Sequence, residues 1–178
     1  MANVNDPNGF TPSYHLTGGT IRPAQMRIQS TYDTAIYSGD VCNLSGGYLI
    51  QGTATGAPIG VFAGVYYEKT DGTPVWAKYW TADTATLGSV DAQAYIYNDP
   101  DIVYEAQFTA GTPAVTFIGN KYTLSTTAGS TNTGRSAEGV TATTSSGVAL
   151  CVGFVDTPSN SIGANARAYF RFPANPFE

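Results

Sequence analysis

An all-β fold is predicted for this chain, a compact barrel or sandwich of short antiparallel strands with little or no helix. The first observation is composition: 12 Tyr, 8 Phe and 20 Gly stand among 178 residues. β-branched and aromatic residues favour strands, whereas the good helix formers Glu, Lys and Leu are scarce here. The second observation is the repeated pattern of short apolar runs separated by Gly, Pro, Asn or Asp, which is typical of a strand meander. The third is the lack of any segment with a helical stripe of apolar residues.

The strands are expected to follow one another with tight connections. Asp71 and Gly72 predict a hairpin turn, and Gly60 and Gly64 predict a bulge or bend inside one long strand. One short turn of helix is expected within residues 81–87. Strands are expected at residues 26–29, 35–37, 41–44, 48–50, 58–67, 74–80, 92–97, 102–108, 148–155 and 166–172, with weaker candidates at 115–118 and 122–124.

The chain divides into an N-terminal arm, residues 1–19, and a single β-rich domain, residues 20–178. Within the domain, residues 125–147 consist almost entirely of Thr, Ser, Ala, Gly and Asn. Such a segment buries little apolar surface, so it is expected to be a long surface loop or an edge strand near residues 140–144.

The arm contains apolar side chains at every second position. Phe10, Pro12, Tyr14 and Leu16 alternate with polar residues, among them His15. In an extended chain this spacing places the apolar groups on one face. Since Pro12 lacks an N–H, the arm is expected to be an edge strand or a lone extended peptide, unless it is simply a loose terminus. Our interpretation is an arm that lies along another protein, so that the domain folds without residues 1–16.

Charge excludes several function classes. The net charge is −5 with only eight Lys and Arg, which is too few for the basic surface that nucleic acids or anionic membranes require. The sequence has neither a leader peptide nor an apolar run long enough to span a membrane, so we expect synthesis in a cytoplasm. Cys42 and Cys151, both in apolar stretches, are expected to be buried free thiols.

Catalytic chemistry has little support in the sequence. His15, in the arm, is the only histidine, so no Ser–His–Asp or Cys–His set is expected. Asp99 and Asp101 flank Pro100 in a typical turn sequence and offer at most part of a calcium site. We therefore predict no enzyme activity, no catalytic residue, no metal site and no cofactor.

Two tryptophans form the most specific cluster in the domain. Trp76, Lys78 and Trp80 would share one face of a continuous strand. Two indoles side by side favour a protein contact or a stacking platform for sugars, although they are equally typical of a packed sheet face.

Several stretches resemble the capsid decoration, or cement, proteins of tailed bacteriophages. The resemblance rests on the opening MANVNDPNGFTP and HLTGG, and on YSGDV (37–41), PIGVFAG (58–64), KYW (78–80), YIYNDP (95–100) and LCVGFVD (150–156). It covers most of the chain and is weakest over residues 125–147.

The resemblance implies a structural virion protein on the outer capsid surface that bridges neighbouring major-capsid subunits. Proteins of this family are small and β-rich, commonly trimers at threefold positions, and often reach the shell with an N-terminal arm. The partners it implies are the major capsid protein and further copies of this chain. A carbohydrate-binding β-domain exposed on the virion for host adsorption is the alternative, with Trp76 and Trp80 as its platform.

Overall fold

A computed structural model describes residues 3–144 and 147–173. The prediction of an all-β fold is confirmed, since 45% of the chain is strand and the larger sheet forms a nearly closed barrel. The strands are β1 (Thr11–His15), β2 (Ala24–Ile28), β3 (Ile36–Tyr37), β4 (Val41–Ser45), β5 (Tyr48–Gln51), β6 (Gly60–Glu68), β7 (Pro74–Ala77), β8 (Tyr79–Trp80), β9 (Ala92–Tyr97), β10 (Ile102–Ala110), β11 (Lys121–Tyr122), β12 (Leu124–Ser125), β13 (Gly139–Thr141), β14 (Ala149–Phe154) and β15 (Arg167–Arg171).

The strands form two principal sheets and one small one. The first sheet has the order β11-β14-β15-β10-β13-β12, and β1 also pairs with β10. The second has the order β2-β9-β6-β4-β5, with β7 on β6, and β3 pairs with β8 in the small third sheet. Among the strands of the described residues, β10 and β13 pair in parallel and the other pairs are antiparallel. Meander hairpins and longer connections therefore both occur.

Two hydrophobic clusters form the core, and the strands β4 and β6 contribute to both. Val41 and Val61 belong to the cluster under the first sheet, whereas their neighbours Cys42 and Phe62 belong to the cluster under the second. Adjacent side chains on a strand point to opposite faces, so each of these strands separates the two clusters and packs into both.

Most of the predicted strands are confirmed within a residue or two. β9 has the predicted bounds, and in β15 the alternation of buried Ala168 and Phe170 with half-exposed neighbours is as predicted. The prediction for residues 115–118 is wrong: Val115–Phe117 is a turn of 3-10 helix. Phe117 stacks on Tyr122 with ring centroids 4.9 Å apart, while Val115 remains exposed.

The N-terminal segment is an edge strand, one of the two forms predicted, but the prediction that it stands apart from the domain as an arm is wrong. β1 pairs with residues 102–105 of β10 as an edge strand. Phe10 is buried against Phe170 and Phe172, with ring centroids 6.1 and 5.3 Å apart. The backbone passes closely over the turn before β4, where a Cβ on Gly9 would lie 2.6 Å from the Gly39 carbonyl oxygen. Removal of residues 1–16 would therefore open the core.

The Thr/Ser-rich segment, residues 125–147, is more ordered than its composition indicates, although residues 145 and 146 lie outside the described part of the chain. β13 lies between β10 and β12, so it is an interior strand and the edge-strand prediction is wrong. Val140 is fully buried there, because β13 closes one side of the first cluster. Residues 126–137 form the surface loop that precedes it.

The two cysteines are free and buried, as predicted. Cys42 lies in the cluster of the second sheet and Cys151 in that of the first. Within residues 3–144 and 147–173, no helix has the length and apolar character needed to cross a membrane.

Candidate functional site

Trp76 and Trp80 do not share a face, which corrects the predicted cluster of Trp76, Lys78 and Trp80. The chain leaves the second sheet after Ala77, and Trp80 lies in β8, which pairs with β3. Trp80 is fully buried, and its indole N–H donates to the Tyr32 carbonyl oxygen at 3.2 Å. The alternation of residues 75–80 continues across this change of sheet, so the sequence gives no sign of it.

Lys78 occupies the link between β7 and β8 and is exposed. Its side chain lies beside Gly134, where an added Cβ would come within 2.9 Å of the lysine Cβ. Together with Arg135 it lines a cavity of about 260 Å³ next to Phe10 and Pro12. The structure thus places Lys78 at this cavity, which neither tryptophan lines.

Trp76 instead belongs to a different aromatic group, which we call the aromatic face: Tyr66, Trp76 and Tyr95. The indole stacks on Tyr95 with ring centroids 5.4 Å apart and an interplanar angle of 25°. It also contacts Tyr66 at 4.8 Å in a tilted arrangement. Trp76 nevertheless stays 70% exposed. A large aromatic residue that packs on two neighbouring rings and still remains exposed is a candidate contact for a ligand or partner.

Strand register explains how the aromatic face forms. Tyr66 of β6 lies directly opposite Trp76 of β7 on one side and Gln93 of β9 on the other. Tyr95 lies opposite Gly64, which carries no side chain, so the indole can reach across β6 to the Tyr95 ring. The glycine that the sequence marked as a bulge therefore also makes room for a ring contact.

Polar groups surround the aromatic face. The Tyr66 hydroxyl donates to Glu68 Oε1 at 3.4 Å, and the Tyr95 hydroxyl donates to Gln93 Oε1 at 3.1 Å. A cavity of about 430 Å³ lies beside Tyr66, and its other walls include Glu68, Leu87, Val90, Asp91 and Gln93. That volume lies within the roughly 300–1,000 Å³ usual for small-ligand sites.

The predicted arm residues separate into a buried and an exposed group. Phe10 is buried and Pro12 half-buried, whereas Tyr14 and Leu16 are 42% and 47% exposed. The cause is an irregularity in register between Pro12 and Tyr14, which breaks the simple alternation. Tyr14 makes an edge contact with Tyr169 at 5.5 Å. The one-sided apolar stripe is thus not present.

His15 is held by hydrogen bonds at both ring nitrogens. Nδ1 accepts from the backbone N–H groups of Thr17 and Gly19 at 3.3 and 3.2 Å. Two N–H donors aimed at Nδ1 leave the ring proton on Nε2, which donates to Asp99 Oδ2 at 3.1 Å. The Asp101 backbone N–H and this His15 contact hold the pKa of Asp99 below its usual range.

This arrangement speaks against catalytic or metal chemistry at His15. Asp101 also approaches the pair, but a metal at Nε2 requires a proton on Nδ1, and Nδ1 faces two donors here. The Thr17 hydroxyl lies 3.1 Å from Nδ1, but the Nδ1 lone pair already accepts from the Thr17 and Gly19 N–H groups. The geometry is that of a structural clamp at the end of β1.

A buried pair of acids, Asp40 and Glu138, gave no signal in the sequence. Both side chains are buried; Asp40 Oδ2 accepts from the Tyr37 N–H at 2.7 Å and Glu138 Oε2 from the Val41 N–H at 2.8 Å. The other oxygen of each carboxyl has no hydrogen-bond partner. Burial raises the pKa of Asp40 to about 6 and, together with the charge of Asp40, raises the pKa of Glu138.

The N-terminal segment is hydrogen-bonded to the backbone at the acid pair. The Gly9 N–H donates to the Glu138 carbonyl oxygen at 3.2 Å, and the Phe10 N–H donates to the Gly39 carbonyl oxygen at 2.8 Å. Segments distant in sequence thus meet at one buried point, which explains why local patterns do not predict it.

Comparison with known proteins found no match: no family model, curated protein or solved structure is similar enough to assign the chain to a family.

Proposed function

We propose that this chain is a structural virion protein that binds the outer surface of a phage capsid and cements neighbouring major-capsid subunits. The resemblance in sequence to decoration proteins supports this proposal, and so does the low content of charged residues, 12% of the chain. A surface with few charges packs against other subunits at little desolvation cost. The major capsid protein and further copies of the chain are its proposed partners; neither nucleic acid nor a membrane is among them.

The observation that carries the proposal is the open edge of β1. Among the described strands only β10 pairs with β1, so the backbone on its other side is free for a strand of a second protein. Tyr14 and Leu16 are exposed at this edge and provide apolar contacts. Phe10 anchors the strand in the core, so the docking element is already ordered before it binds.

The proposed oligomer is a trimer. A threefold assembly matches the local symmetry of an icosahedral shell, and it multiplies modest single contacts into firm attachment. Sedimentation equilibrium of the purified chain is expected to give a mass of about 56 kDa, three times 18.7 kDa. A monomeric mass at all concentrations would contradict the proposed trimer.

Binding to shells tests the function directly. The double variant Tyr14→Ala/Leu16→Ala is expected to bind mature capsids of the encoding phage at least tenfold more weakly, measured by co-sedimentation, because two exposed apolar contacts are lost. Both side chains are partly exposed, so the variant should remain folded, and loss of the ring contact between Tyr14 and Tyr169 should lower its free energy of unfolding in urea by about 0.5–1.5 kcal/mol.

The control is Val115→Ala, which shortens an exposed apolar residue of the turn before β11. It should bind shells like the natural chain. Equal binding by the double variant would remove the β1 edge from the proposal, and no binding by the natural chain would overturn the proposed function itself.

A further inference from the structure

We infer that the aromatic face and the cavity beside it form a binding site for a neutral oligosaccharide. The site lies on the second sheet, whereas the proposed capsid contact lies at the β1 edge of the first sheet. The inference therefore stands independently of the proposed function.

The first argument is the open indole of Trp76. Two tyrosine rings hold it in place, yet 70% of the residue remains exposed. Cross-strand packing accounts for the contact between Trp76 and Tyr66, which are direct partners in register. It does not account for the exposed part of the Trp76 indole. That surface has unfavourable contact with water and is complementary to the apolar face of a sugar ring.

The second argument is the set of hydrogen-bonding groups around the rings. Glu68, Asp91 and Gln93 line the cavity beside Tyr66, and Gln93 is also held by the Tyr95 hydroxyl. Carboxylate and amide oxygens accept hydrogen bonds from hydroxyl groups, and the amide nitrogen donates to them. An aromatic platform beside several acceptors suits a ligand that has apolar faces and many hydroxyls.

The charge of the site selects among such ligands. Glu68 and Asp91 contribute two carboxylates at the cavity. Arg27 lies 3.8 Å from Asp91 and is mostly exposed, and Lys69 follows Glu68 in the chain and bridges to Thr86. An acidic sugar would bring its carboxylate close to those of Glu68 and Asp91, so a neutral sugar is favoured. The cavity of about 430 Å³ adjoins the platform, which points to a short oligosaccharide rather than a monosaccharide.

Tryptophan fluorescence provides a direct measurement. The chain has two tryptophans, and Trp80 is fully buried, so a change in emission on ligand addition reports on Trp76. The full-length chain would be applied to an array of neutral and acidic oligosaccharides, and the strongest neutral binder would then be titrated in solution. We expect a blue shift of the emission and saturable binding.

Matched variants assign the binding to the site. Trp76→Ala should lower the affinity for the titrated oligosaccharide at least tenfold, and Trp76→Phe should retain part of that affinity. Glu68→Gln should still bind neutral oligosaccharides and should also bind acidic ones, because it removes a negative charge. Val115→Ala, exposed but outside the aromatic face, should bind like the natural chain.

Three outcomes would overturn the inference: an array without neutral binders, undiminished binding by Trp76→Ala, or preference for acidic sugars. Shell binding measured on the same Trp76→Ala protein separates this inference from the proposed function. If Trp76→Ala loses shell binding and the natural chain binds no sugar, the aromatic face would be assigned to capsid binding instead.

Discussion

Asp40 and Glu138 are two buried acids with no cation beside them in the described part of the chain. Their side chains meet hydrogen-bond donors from Tyr37, Val41 and Gln51, and the Cys42 thiol is the other titratable group that their charges influence. Two carboxylates that are both charged would repel each other in a medium of low dielectric constant. The folded protein therefore retains protons on this pair at a pH where the unfolded chain has lost them.

This retention makes stability depend on pH. The pKa of Asp40 is raised from 3.8 to about 6, and that of Glu138 is raised as well. The resulting stabilisation is complete at pH values below the pKa of each acid in the unfolded chain. It is lost as the pH rises through the pKa of that acid in the folded protein. We expect the free energy of unfolding to fall by roughly 1–3 kcal/mol between pH 5 and pH 8, measured with urea.

Asp40→Asn is the matched control for this pH dependence. The amide keeps an oxygen that can accept from the Tyr37 N–H but cannot ionise. The fall in stability between pH 5 and pH 8 should then become smaller, and the part that remains is assigned to Glu138, whose pKa is raised first by its own burial. Stability that rises with pH over this range in the natural chain would contradict the assignment. Asp99, whose pKa is lowered, influences stability only in more acidic solution.

The N-terminal segment shows what alternation can and cannot predict for an element. Its extended backbone and the edge position imposed by Pro12 were predictable from residue types. Its docking was not, because the buried aromatic partners of Phe10 are far away in sequence. The same limit explains Trp80: alternation predicts which residues share a face within one strand, but not where a chain changes sheets.

Phe10 provides a measure of how firmly this segment belongs to the fold. Phe10→Ala is expected to lower the free energy of unfolding by about 3–5 kcal/mol, because it leaves a cavity between Phe170 and Phe172. Val4→Ala, in the same segment but exposed, should change it by less than about 0.5 kcal/mol. A small effect of both changes in urea unfolding would mean that the segment is not part of the core.

At the scale of the molecule, composition predicted the class of fold and the strand pattern predicted most elements, since both depend on local preferences. The aromatic face depends on pairing between β6, β7 and β9, and only Trp76 could be singled out beforehand. Tyr66 and Tyr95 were ordinary strand residues until register placed them beside it.

Thiol labelling can test whether the two clusters unfold together. Cys42 and Cys151 are buried in different clusters, and burial raises the pKa of Cys151 to about 11 and that of Cys42 as well. Both should resist a thiol reagent in the native protein and become reactive at the same urea concentration. Peptide mass spectrometry distinguishes the two sites, and earlier labelling of one would show that the clusters unfold separately.

The alternation of Val41 with Cys42, and of Val61 with Phe62, has a mechanical consequence. Because β4 and β6 contribute side chains to both clusters, the two halves of the interior share these strands. A force that displaces β4 or β6 would therefore loosen the packing on both sides at once.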